Sequence, residues 1–246
     1  MNRRSFINKS VLTASASLLP LSFWNSLDSE EFTIEELTGK ANTKFYGNGY
    51  LVRKEVNEAF IKMQAAAKKE NINIQIVSAY RGYKRQKQIF NAKFTRYTHQ
   101  GLNEIEAINK IIEYSTIPGT SRHHWGTDID IIDANATQPK NVLLPKNYEL
   151  EGVYYKMKMW LNEHSEKFGF YIVYTNNPNR KGFYPEPWHF SYRKIALPML
   201  KAYQKIDIHK IITNDTNLKG RNFLSTAFID RYKNDNIFDI NPALLP

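Results

Sequence analysis

A chain of 246 residues with 42% hydrophobic and 13% aromatic side chains can bury one full core, which excludes a disordered or low-complexity protein. It contains no cysteine, so disulfides and thiolate ligands are excluded and any metal must rest on His, Asp or Glu. The formal net charge of +10 favours anionic partners.

The first residues, Met1-Asn2-Arg3-Arg4-Ser5-Phe6-Ile7-Asn8-Lys9, are basic, and an apolar stretch from Val11 to Trp24 follows them. This is the layout of an export signal over residues 1–27, which takes no part in the fold. Arg3-Arg4-Ser5-Phe6-Ile7 resembles a twin-arginine signal, with Asn2 where Ser or Thr is more usual. The expected location is therefore the periplasm or cell envelope. There a basic surface meets an anionic wall polymer rather than nucleic acid, and the scattered Lys and Arg residues, without interleaved aromatics, also argue against nucleic acid. The apolar run is short and seeded with Ser and Thr, and no later segment is apolar enough to span a bilayer. No membrane span is expected in the mature protein.

Lys54 to Glu70 reads as a helix with Val56, Phe60, Met63 and Ala67 on one face. Ile72, Ile74 and Ile76 then alternate with Asn73, Gln75 and Val77, the period of a strand that runs into Ser78 and Arg81. Helices are expected over Tyr83 to Arg96 and Asn103 to Tyr114, and Pro118-Gly119 is a turn that delivers the chain to His123. Thr127 to Ile132 alternates again, placing Asp128 and Asp130 on one face and Ile129 and Ile131 on the other. An amphipathic helix fits Gly152 to Lys167, a strand fits Gly169 to Tyr174, and Asn176 to Gly182 is rich in turn formers. Pro187 holds Glu186 in an extended conformation, so Glu186 and His189 do not share a helix. Short strands mixed with helices, without regular alternation, predict an α+β fold. The domain reads as 28–195, followed over 196–246 by a helix near Ala196 to Lys205 and a polar, irregular tail.

Three segments carry the chemistry: Ser78-Ala79-Tyr80-Arg81, Ser121 to Asp130, and Glu186-Pro187-Trp188-His189. Catalytic zinc sites use three protein ligands and leave the fourth position to water. His123, Asp130 and His189 can provide the three, which leaves Glu186 as general base and Arg81 as the cation facing a developing oxyanion. Two alternatives stand beside this assignment. His124 can replace its neighbour as ligand, and Asp128, on the same face as Asp130, is either a rival ligand or a residue that supports one. His99, His164 and His209 fall in helical or polar segments and read as surface residues.

The pattern S-x-H-x-x-G-x-x-x-D followed by E-x-W-H resembles the zinc D-alanyl-D-alanine carboxypeptidases of the VanY type, in the group that also holds lysostaphin-like peptidases and the hedgehog domain. Ser121, His123, Gly126 and Asp130 match the first motif; Glu186, Trp188 and His189 match the second; Ser78, Tyr80, Arg81 and Gln86 match the S-x-Y-R-x-x-x-x-Q segment before them. The resemblance implies a small antiparallel sheet flanked by helices, a zinc cofactor on His123, Asp130 and His189, and Glu186 as base. Arg81 would stabilise the oxyanion, Ser121 and Gln86 would bond the peptide near its terminal carboxylate, and Trp188 and Tyr80 would complete the substrate site. The implied substrate is a peptidoglycan stem peptide that loses its C-terminal D-alanine. An L,D-carboxypeptidase or a wall endopeptidase would use the same ligands, whereas a zinc module that only binds the wall would need neither Glu186 nor Arg81. The chain departs from the pattern at Asp128, where Ala is common, and at Ser191, where an Arg is frequent.

Overall fold

The structure is a computed structural model and describes residues 32–246. The stretch read as an export signal lies outside these residues. Four strands make one antiparallel sheet in the order β1-β2-β4-β3, with β1 at Ile74–Ser78, β2 at Asp128–Asp133, β3 at Phe170–Ile172 and β4 at His189–Tyr192. The helices are α1 (Ile34–Leu37), α2 (Lys54–Lys68), α3 (Tyr83–His99), α4 (Glu104–Ile111), α5 (Tyr155–His164), α6 (Arg193–Tyr203), α7 (Ile208–Thr213) and α8 (Thr226–Tyr232). The α+β expectation is met.

Helix α2 buries Val56, Phe60, Met63 and Ala67, the four positions its 3.6-residue spacing selects. They pack with Ile74 and Ile76 of β1, Ile129 and Ile131 of β2, Met157 and Leu161 of α5, and Phe190 of β4 in one core. Every residue of β2 and β4 is buried, because each of these strands has a neighbour on both sides. Strand β4 is short and follows two prolines within five residues, so it gives no alternation long enough to read from sequence. Helix α5 is shorter than its amphipathic pattern suggests. Ser165–Phe168 tightens into a 3-10 turn that ends at Gly169, with φ of +83°.

A second core gathers Phe90 of α3, Ile108 and Ile111 of α4, Met199 and Leu200 of α6, Ile212 of α7, and Phe228 and Ile229 of α8. The stretch beyond Lys205 is therefore neither irregular throughout nor peripheral, and residues 32–246 form one compact unit. Its helices are only six and seven residues long, too short for a periodic signal. Asp207 and Ser225 start them by accepting the backbone N–H of Lys210 and Phe228. Among the described residues no helix is long and apolar enough to cross a membrane.

Candidate active site

The alternation of β1 breaks once. Ile76 pairs with Ile131, but the next partner of β2, Asp130, pairs with Ser78, so Val77 is an extra residue bulged out of the ladder. The chain leaving the bulge runs beside the turn that holds His123. Ala79 C=O accepts from His123 Nδ1 at 2.8 Å, and the Arg81 N–H donates to His123 C=O at 3.0 Å. His123 lies in a 3-10 turn, Arg122–Trp125, closed by Gly126 at φ +68°. A Cβ at Gly126 would meet Phe45 Cε1 at 2.4 Å, so both the conformation and the space require glycine.

On the sheet, Asp130 and His189 are direct register partners across β2 and β4, which puts both side chains on one face. The Nδ1 proton of His123 is committed to Ala79, leaving Nε2 bare and 3.4 Å from Asp130 Oδ2. His189 turns Nδ1 toward Asp130 Oδ1, at 3.9 Å. One ligand atom from each of His123, Asp130 and His189 lies within 4.8 Å of the others, and all three residues are buried. Glu186 Oε2 sits 2.9 Å from His189 Nδ1, on the turn that leads into β4. A cavity of about 310 Å³ opens over this group, and Arg81, Ser121, Glu186 and Trp188 line it. Buried Arg81 Nε, Ser121 Oγ, Thr116 Oγ1 and Asp130 Oδ1 have no hydrogen-bond partner within the protein. Unsatisfied buried polar atoms are costly, so their gathering here marks a place completed by something bound.

Two expected substrate contacts do not fall in the cavity lining. Tyr80 stacks on Phe45 with ring centroids 4.0 Å apart. Gln86 is fully buried in α3 and donates to Thr116 C=O at 2.7 Å, so it braces the Ser115-Thr116 wall from behind. Tyr174, whose ring meets His189 edge-on at 5.2 Å, lines the cavity and was readable only as the end of a strand. Arg122 also lines it, and its role shows only in the fold.

Hydrogen bonds occupy both of the alternative ligands, His124 and Asp128. His124 spends both ring nitrogens on structure: Nδ1–H donates to Arg81 C=O, and Nε2 accepts the Gly119 N–H at 3.1 Å. Asp128 accepts from Arg122 Nε at 2.9 Å and Thr127 Oγ1 at 2.6 Å, and from Ser191 Oγ at 2.9 Å. Its Oδ1 also lies 3.0 Å from His189 Nε2, on the far side of the ring from Asp130. Neither residue has an atom left for a metal. Asp128 and Ser191, the two departures from the family pattern, are register partners, and Arg122 places a guanidinium between them.

Burial opposes ionisation of Asp128 and Asp130, but Arg122 beside the first and His123 beside the second outweigh it and hold both carboxyls below their usual range. Burial likewise opposes charge on His189. Hydrogen bonds to Asp128 and Glu186 prevail, raising the metal-free imidazole to about 10. Burial pushes His124 down to about 3. Its folded-state pKa is below the ordinary 6.5, so the unfolded chain takes up this proton first. The stability that neutral His124 contributes is complete above pH 6.5 and is lost as the pH falls toward 3, at up to ~1.4 kcal/mol per unit. Between these limits the His189 contribution stays whole, since a raised pKa loses stability only as the pH rises from 6.5 toward 10. Urea melts of metal-free protein from pH 6.5 down to pH 4.5 are expected to show falling stability, and His124→Gln a slope shallower by up to one proton. Equal slopes in the two proteins would contradict this.

Two imidazoles and a carboxylate converging over the two central strands of an antiparallel sheet, with the Glu186 carboxylate beside them, form the donor set of a metallopeptidase. The chain belongs to the VanY family, described as D-alanyl-D-alanine carboxypeptidase, whose model matches residues 49–195. An uncharacterised protein of Haemophilus influenzae is 36% identical over 83 residues, 32% of this chain and 63% of that one. A D-alanyl-D-alanine carboxypeptidase of Enterococcus faecalis is 27% identical over 128 residues, 52% of this chain and 42% of that one. Each match covers less than two thirds of the relative's own length. A solved structure of VanYB in complex with D-alanine-D-alanine shares the fold at a TM-score of 0.50, with 21% identity, over 70% of this chain and 88% of that one. Helices α6–α8 lie almost wholly beyond the matched range.

Proposed function

We propose that the protein is an exported zinc carboxypeptidase that removes the C-terminal D-alanine from peptidoglycan stem peptides. The observation that carries this reading is the convergence of bare His123 Nε2, the Asp130 carboxylate and His189 Nδ1, with Glu186 Oε2 2.9 Å from the last. The donor set fits zinc: two nitrogens and one oxygen, no sulfur, and an unpartnered buried carboxylate oxygen on Asp130. Zinc held there would lower the pKa of a water toward about 7 and polarise the scissile carbonyl.

The protein's own groups supply the remaining chemistry. Glu186 takes the proton from the attacking water as its oxygen bonds to the carbonyl carbon, and returns it to the amine nitrogen as the C–N bond breaks. The products are free D-alanine and a stem peptide shorter by one residue. Arg81 faces the carbonyl oxygen as negative charge collects there. Its backbone is fixed at both ends, N–H to His123 C=O and C=O to His124 Nδ1, and its buried Nε has no partner within the protein, leaving it free for the substrate. Ser121 Oγ, buried and unpartnered in the cavity wall, is a hydrogen-bonding group for the peptide terminus, and Trp188 closes the apolar side.

Mass spectrometry of a pentapeptide stem ending in D-Ala-D-Ala, with zinc-loaded protein and with chelator-treated protein, tests the reading. Loss of one alanine only in the zinc sample is the expected result. Cleavage of a tetrapeptide stem but not the pentapeptide would move the specificity to the L,D bond. Turnover of neither would sink the carboxypeptidase reading.

A further inference from the structure

We propose that Asp128, braced by Arg122 and Ser191, is a positioning residue that keeps the proton of His189 on Nε2 and thereby presents Nδ1 to the metal. The inference rests on the metal site proposed above and adds a residue that is neither ligand nor base. An imidazole can bind a metal through either nitrogen, and the nitrogen it uses is set by the bond the other one makes. His189 has acceptors on both sides: Asp128 Oδ1 3.0 Å from Nε2, and Glu186 Oε2 2.9 Å from Nδ1. Asp128 is the one with no freedom to withdraw. It is fully buried, and its two oxygens receive Arg122 Nε, Thr127 Oγ1, Ser191 Oγ and the His189 ring.

The bracing is itself buried. Arg122 is 3% exposed, stacks its guanidinium over Trp125 at 4.7 Å, and donates a second bond to Ser191 Oγ at 2.8 Å. Ser191 stands opposite Asp128 in the register, one strand over, and donates its own O–H to Oδ2. A carboxylate held at three other points offers His189 an acceptor of fixed position. The ring cannot flip without leaving a buried charge short of a donor. Glu186, in contrast, rests on a turn at the cavity wall and would give up its contact with Nδ1 to a metal held by that atom.

The test uses the full chain loaded with zinc and labelled with 15N-histidine. Long-range proton–nitrogen spectra are expected to show His189 protonated at Nε2 and metal-shifted at Nδ1, and His123 the reverse. A His189 ring protonated at Nδ1 would overturn the proposal without any variant having to fold. In parallel, Asp128→Asn and Asp128→Ala are titrated with zinc against a chelator, where a loss of about 10- to 100-fold in affinity is expected, larger for Ala. Thermal melts of the metal-free proteins separate this from general destabilisation. Wild-type affinity in both variants would overturn the proposal while leaving the metal site standing. A wild-type protein that binds no stoichiometric zinc would remove the site itself, and this inference with it.

Discussion

Glu186→Gln is expected to retain zinc at the wild-type stoichiometry and to lower kcat by about 10²- to 10⁴-fold, the range for loss of a general base. The substitution keeps the size and shape of the side chain and removes the proton-accepting oxygen pair. Because the three proposed ligand atoms come from His123, Asp130 and His189, metal content should not change. KM should move little, since Glu186 handles the water rather than the terminus of the peptide. Elemental analysis of the purified variant and the rate of D-alanine release decide the matter together. Metal loss would make Glu186 a ligand, and turnover within a few-fold of wild type would dismiss it as the base.

A chain ending at Lys205 is expected not to fold cooperatively. It would lack Ile208, Ile212, Leu218, Phe228, Ile229 and Tyr232, all buried in the core that holds Phe90, Ile108 and Ile111. Burying one such side chain contributes about 1.5–3 kcal/mol, so six of them match or exceed the roughly 5–15 kcal/mol by which a whole domain is stable. The truncation would also strip the loop in front of His123. Tyr232 Oη accepts the Ile117 N–H at 3.1 Å and bonds Thr120 Oγ1 at 2.8 Å. Circular dichroism of the truncated chain should show no sharp thermal transition. A sharp melt within a few degrees of the full chain would show the tail to be dispensable.

The candidate metal centre was legible because its parts are local. His123 and Asp130 lie seven residues apart on one turn and the strand that follows, and Glu186 and His189 share a single turn. Helix α2 was legible because fifteen residues give the 3.6-residue period room to show. What stayed hidden depends on residues distant in the chain. His124 could be separated from His123 only once Gly119 and the Arg81 carbonyl were seen to occupy both its nitrogens. The substrate roles expected of Gln86 and Tyr80 assumed side chains aimed at the groove, and helix α3 aims Gln86 into the protein instead. The tail looked polar because each of its helices contributes only about three apolar residues, too few to form a pattern but enough to complete a core.

The bulge at Val77 amounts to a phase shift in the chain's own alternation. Upstream of it the even positions, Ile72, Ile74 and Ile76, point into the hydrophobic core. Immediately downstream another even position, Ser78, is the one paired with Asp130, and it lines the polar cavity. Had the ladder continued unbroken, Val77 would stand opposite Asp130 and set a branched hydrocarbon beside a carboxylate of the candidate metal site. One surplus residue thus turns a core strand into the wall of a polar groove without a loop between them. Insertions at the bulge, between Ile76 and Ser78, are therefore constrained by parity: one residue inverts which side chains meet the groove, and two preserve them.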